Sequence, residues 1–125
     1  MKIPGTYFLE IQGSLLSPIS AVTTSFTLTI TETTISVGTI PADQTYDIGT
    51  CAGSISLTVP SFISNPSGAL ILYSDVSNPK ITDVSFKGTT YNWSLLKTVG
   101  IYNLTMEGSL GGSAITTTSF KLEIK

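Results

Sequence analysis

Gly100-Ile101-Tyr102-Asn103-Leu104-Thr105-Met106-Glu107-Gly108-Ser109-Leu110 decides how this chain is read, because the chain carries it twice. Near the N-terminus stands Gly5-Thr6-Tyr7-Phe8-Leu9-Glu10-Ile11-Gln12-Gly13-Ser14-Leu15, with Gly, Tyr, Leu, Gly, Ser and Leu in the same order about 95 residues earlier. The match continues from Thr24-Ser25-Phe26-Thr27-Leu28-Thr29-Ile30 to Thr118-Ser119-Phe120-Lys121-Leu122-Glu123-Ile124, with one residue lost between the two parts. Upstream, Lys2 falls on Lys97 and Met1 on Leu96. Self-similarity at a fixed period marks an array of structural units. The first copy lacks the roughly sixty residues that precede the motif in the second. The expectation is therefore one full unit, residues 34–125, preceded by the closing strands of another, residues 1–33.

Outward from the motif, apolar residues alternate with period two, the pattern of half-buried strands. Tyr7, Leu9 and Ile11 form one set and Phe26, Leu28 and Ile30 the next; Ile35 and Val37, Tyr46 and Ile48, and Ile55, Leu57 and Val59 follow. Pro60 stops that last strand, since proline cannot donate to a ladder. Ala69-Leu70-Ile71-Leu72-Tyr73 is apolar on both faces and reads as a sheet-interior strand. Ile81 to Phe86, Tyr91 to Leu95, Ile101 to Met106 and Phe120 to Ile124 complete the set. No helical period occurs, and Thr, Ile and Val suit a pleated surface. Short strands about ten residues apart, separated by Gly, Pro, Asn and Asp, predict an all-β sandwich of seven or eight strands. Its expected core includes Phe26, Leu57, Leu72, Trp93, Tyr102, Leu104 and Phe120. A two-stranded ribbon is marginal alone in water, so residues 1–31 are expected to need a partner for their apolar face.

The ending Gly-x-Tyr-x-Leu, a Gly-containing hairpin and a final Phe-x-Leu-x-Ile strand resembles the end of cadherin-like and putative-immunoglobulin repeats. The resemblance spans about residues 36–125, and the tail 1–31 matches the same ending. It implies an immunoglobulin-like β-sandwich strung in tandem in adhesins and large surface-fibre proteins. It also implies a tyrosine corner at Tyr7 and Tyr102, with each hydroxyl bonded back to the preceding chain. The paired core cysteines of antibody domains and the clustered acidic motifs of calcium-binding cadherins are missing.

Composition narrows the function classes. With 8 acidic residues, 6 lysines and neither arginine nor histidine, the chain lacks the basic stripe of a nucleic-acid binder. Without histidine a serine or threonine has no ordinary base to activate it, and the carboxylates are spread singly, so an enzyme is not expected. No apolar run approaches the roughly 20 residues of a membrane helix, and no secretory signal opens the chain. Asp43 with Asp47, and Asp75 with Asp83, bracket loops that allow a weak calcium site between units, but turn capping explains them more simply. No cofactor is expected.

Cys51, the single cysteine, is read either as a buried free thiol or as half of an inter-unit disulfide. Two sequons, Asn92-Trp93-Ser94 and Asn103-Leu104-Thr105, place Asn92 and Asn103 on the outward phase of their strands, as N-glycosylation requires. Thr105, Thr116, Thr117, Thr118 and Ser119 are O-glycosylation candidates. Only 11% of the residues are charged, against about 25% in an average domain, so a sugar coat would supply missing solubility. The function expected is a structural extracellular or cell-surface repeat, glycosylated, whose units join into a filament, stalk or adhesin. Its partners are neighbouring copies of the repeat, through tandem or donor-strand contacts. The alternative is a carbohydrate- or receptor-binding sandwich that uses its end loops. An aromatic cluster in loops would mark it, whereas nearly all aromatics here fall on strands.

Overall fold

The computed structural model describes residues 3–16, 19–111 and 114–125. The alignments of Met1 and Lys2 lie outside these. The chain divides into two compact units, Met1–Glu32 and Thr33–Lys125.

The first unit is one antiparallel hairpin, β1 (Gly5–Leu16) and β2 (Ile19–Ile30), in register from Gly5↔Ile30 to Leu16↔Ile19. The second is all-β and sandwich-like. It contains β3 (Thr34–Ser36), β4 (Gln44–Asp47), β5 (Ala52–Gly53), β6 (Ser56–Thr58), β7 (Ile63–Asn65), β8 (Leu72–Asp75), β9 (Ser85–Lys87), β10 (Thr90–Asn92), β11 (Gly100–Leu110) and β12 (Ala114–Ile124). Five strands form the main sheet in the order β5-β4-β12-β11-β8, with β4 parallel to β12 and β8 antiparallel to β11. Facing it is the sheet β6-β10-β9, and β3 pairs with β7. The last strand is held to its end: Ile48 N–H donates to the Lys125 carbonyl and Lys125 N–H to Tyr46, both at 2.9 Å.

Alternation along β11 and β12 explains the core. Leu104, Met106 and Leu110 of β11 and Phe120, Leu122 and Ile124 of β12 are buried on one face. From the opposite sheet Tyr91 and the adjoining Trp93, both fully buried, meet Phe120 with ring centroids 5.6 and 6.3 Å away. Val59, Phe62 and Leu96 close the layer. Burying side chains of this size stabilises by about 1.5–3 kcal/mol each, which makes this layer the main support of the second unit.

Several local expectations change. Leu72 is 57% exposed because it lies opposite Ser109 on the outer face of the main sheet, whereas the next residue, Tyr73, lies opposite buried Gly108 and packs on Phe62. Residues 69–71 stand outside it, so Ala69–Tyr73 is no sheet-interior strand. β10 ends at Asn92 and the inward phase lasts only to Trp93: a turn in which Leu96 N–H donates to the Trp93 carbonyl at 2.9 Å exposes Leu95 and buries Leu96. Of Ile81 to Phe86 only the end is strand, within Ser85–Lys87. Leu57 and Tyr102 are half-buried. Phe26 is exposed on the hairpin.

Candidate functional site

The hairpin β1–β2 and the hairpin β11–β12 are the same object in two environments. Tyr7 pairs with Leu28 as Tyr102 pairs with Leu122, and Leu9 with Phe26 as Leu104 with Phe120. Tyr7 O–H donates to the Ile3 carbonyl at 2.9 Å, and Tyr102 O–H to the Thr98 carbonyl at 2.8 Å. Each tyrosine thus ties its strand to the chain four residues earlier. What differs is cover. Leu104, Met106 and Leu110 are 1%, 1% and 8% exposed, whereas Leu9, Ile11 and Leu15 are 39%, 60% and 68% exposed. Phe26 and Leu28 are open where Phe120 and Leu122 are sealed. A face this apolar and this continuous is the kind that marks a candidate interaction surface.

The candidate sugar acceptors separate by environment. Asn103 is exposed on β11. Asn92 is half-buried; its Oδ1 accepts from Ser94 N–H at 3.0 Å and from Ser94 O–H at 2.7 Å, an Asx turn that ends β10. Thr105 and Ser119 are cross-strand partners whose hydroxyls hydrogen-bond at 2.8 Å, and Thr117 is exposed. Thr118 is corrected: it is buried, because it shares the inward phase of Phe120, Leu122 and Ile124. Thr116 has that same phase and is half-buried.

The four aspartates serve separate local jobs. Asp43 Oδ1 accepts from Lys121 N–H at 2.8 Å. Asp47 Oδ1 accepts from Gly49 N–H at 2.8 Å and Thr50 N–H at 3.1 Å. The Thr50 backbone bond foremost holds the Asp47 carboxyl below its usual range. Asp75 Oδ1 takes the Ser77 amide at 3.1 Å, the Ser77 hydroxyl, and the Tyr91 O–H at 2.9 Å. Ser77 Oγ in turn accepts from Thr105 N–H at 2.9 Å. Asp83 lines a shallow groove of about 260 Å³ with Thr82, Ser85, Asn92 and Leu95. Among the described residues no three acidic or cysteine side chains come together as metal ligands.

The Asp75–Ser77–Tyr91 network was not singled out in the sequence. Asp75-Val76-Ser77 is a local capping pattern, but its link to Tyr91 crosses between sheets. Burial first, then the bond to Asp75, pushes the Tyr91 phenol well above its ordinary pKa. Cys51 is exposed, which removes the buried-thiol reading. Its φ of 54° is a left-handed conformation, and its thiol lies 3.7 Å from the Ile48 carbonyl. A side-chain hydrogen bond with Cys51 raises the Tyr46 phenol. Among the described residues no helix is long and apolar enough to cross a membrane. In comparison with known proteins, the sequence matches no protein-family model and no curated protein.

Proposed function

We propose that this chain is a structural repeat of an extracellular or cell-surface protein, an immunoglobulin-like unit that joins end to end with its neighbours into a filament, stalk or adhesin. The observation that carries the reading is the repeated hairpin, identical in register at both places and open in the first. A chain with one closed unit and the closing hairpin of another is what an array of such units contains. Its task is mechanical: spacing and presentation, with each unit holding its own core.

Glycosylation belongs to the same proposal. Asn92 and Asn103 are the N-linked acceptors, and Thr105, Thr117 and Ser119 the O-linked ones. The sparse charge of the chain supports this coat, since exposed strand edges poor in charge otherwise tend to pair and aggregate. Exposed Cys51 is the residue that would form an inter-unit disulfide. Intact mass spectrometry of the protein from its native source tests the coat. Mass above the bare 13.2 kDa per 125 residues, released by glycosidase, is expected; a bare mass would refute the coat. Non-reducing electrophoresis of the same sample checks Cys51, with dithiothreitol-sensitive oligomers expected.

A further inference from the structure

We infer that the hairpin Gly5–Ile30 closes a sandwich body of the same design as residues 34–98, standing ahead of it in the same polypeptide. This deepens the repeat reading, on which it rests, by naming the surface that covers the hairpin. The first argument is residue-for-residue complementarity. Leu104, Met106, Leu110, Phe120, Leu122 and Ile124 lie against the body in the closed unit. Leu9, Ile11, Leu15, Phe26, Leu28 and Ile30 stand at the matching register positions of β1 and β2. Only Met106 is replaced, by Ile11, another apolar residue of similar volume.

The second argument is a gap. Gly108 is seated against the Phe62 ring, and a Cβ there would run into that ring and lie 3.2 Å from Ile35 Cδ1. Gly13 occupies the same register position, yet nothing lies within 4 Å of a Cβ built on it. A glycine within an exposed strand weakens that strand. At Gly13 it leaves room for a side chain of the Phe62 kind, which the hairpin alone does not possess.

The chain's own body is excluded as the occupant. Its seat already holds β11–β12, and the connection is too short. Ile35 packs at the Gly108–Thr116 rung, while Ile124, the counterpart of Ile30, lies eight residues further along β12. That distance is about 26 Å at strand rise. The five steps from Ile30 to Ile35 reach at most about 18 Å. A body joined directly ahead of the hairpin, as residues 34–98 are joined to β11, meets no such limit, and the Tyr7 bond back to Ile3 repeats the Tyr102 bond back to Thr98 at that junction. In that seat β1 would pair with a β8-type strand and β2 with a β4-type strand, covered by a Trp93–Tyr91 layer.

The test adds a second copy of residues 34–98 ahead of Pro4 in the full chain, so that Thr98 takes the place of Ile3 at the tyrosine corner. Hydrogen exchange and binding of a hydrophobic dye are compared with the parent chain. The inference expects a monomer in which amides of Tyr7 to Ile11 become as protected as those of Tyr102 to Met106, with dye binding lost. It also expects Leu9→Asp to abolish that protection while leaving the second unit's melt unchanged. As a check independent of the fusion's folding, residues 100–124 of the parent are replaced by the sequence of residues 5–30. A single cooperative melt with shielded Trp93 emission is expected. An unprotected hairpin in the fusion together with an unfolded replacement chain would overturn the inference. So would a parent chain already protected at Tyr7 to Ile11 as a hairpin-to-hairpin dimer. These outcomes leave the glycan mass of the native protein untouched, so the two proposals fail separately.

Discussion

The Phe62 ring lies over Gly108 of β11, so close that the glycine's missing side chain is part of the packing. The same aromatic residue meets Tyr73 with ring centroids 5.6 Å apart, and Phe62 N–H donates to the Tyr73 hydroxyl at 2.9 Å. Phe62 is thereby fixed from two sides and has little freedom to yield. Gly108→Ala is expected to cost about 1–3 kcal/mol by overpacking. Gly13→Ala, in open space, should be neutral or slightly stabilising to the hairpin in this chain. Denaturant melts of the two variants check the contrast.

Trp93 and Tyr102 should fail by different routes. Trp93 is fully buried and its indole N–H donates to the Ser54 carbonyl at 2.8 Å. Trp93→Ala therefore opens a large cavity, for a loss of about 3–5 kcal/mol. Tyr102→Phe removes only the bond to the Thr98 carbonyl, a loss on the order of 1 kcal/mol. Equal losses in urea melts would contradict the corner assignment.

Tyr91 predicts an alkaline limit to stability. Its folded pKa is raised by burial and by the bond to Asp75. The unfolded phenol loses its proton near pH 10, so between that pH and the higher folded value the unfolded state binds fewer protons. The stabilisation is complete below about pH 10 and declines as pH rises above it. Tyr91→Phe should flatten this decline. At pH 7 it should cost on the order of 1–3 kcal/mol, because the Asp75 carboxylate loses a donor. Thermal melts from pH 7 to 11 read both effects.

Asp47 acts at the opposite end of the scale. Its carboxyl titrates below the usual value because the Thr50 and Gly49 amides bond to the charged form. The turn's contribution is present above about pH 4 and is lost as pH falls through the depressed folded value. In an NMR titration the Asp47 carboxyl should have a midpoint below the usual aspartate value. Asp47→Asn should remove the corresponding acid sensitivity of the Gly49 and Thr50 amides.

The sequence by itself determined the class of the fold and the duplication within it. Period-two alternation with β-branched residues leaves few options other than pleated sheet. A repeated Gly-x-Tyr-x-Leu…Phe-x-Leu-x-Ile pattern sets the register of both hairpins, because a slip by one residue would reverse every face. Trp93, Leu104 and Phe120 were legible as core for that reason. Tertiary structure decided the positions where phase alone is ambiguous. Leu72 looks like core by its apolar neighbours but faces solvent, because the register of β8 on β11 sets it opposite Ser109 and turns Tyr73 inward instead. Leu95 and Leu96 exchange roles because a turn breaks the strand phase after Trp93. Thr118 is chemically an outer-face residue, yet the inward phase of β12 carries it beneath the sheet. The bond from Tyr91 to Asp75 joins strands of different sheets, and no local pattern encodes which strands will face each other. The open face of β1–β2 follows the same rule: sequence makes it apolar, and only tertiary packing leaves it open while the matching face of β11–β12 is sealed.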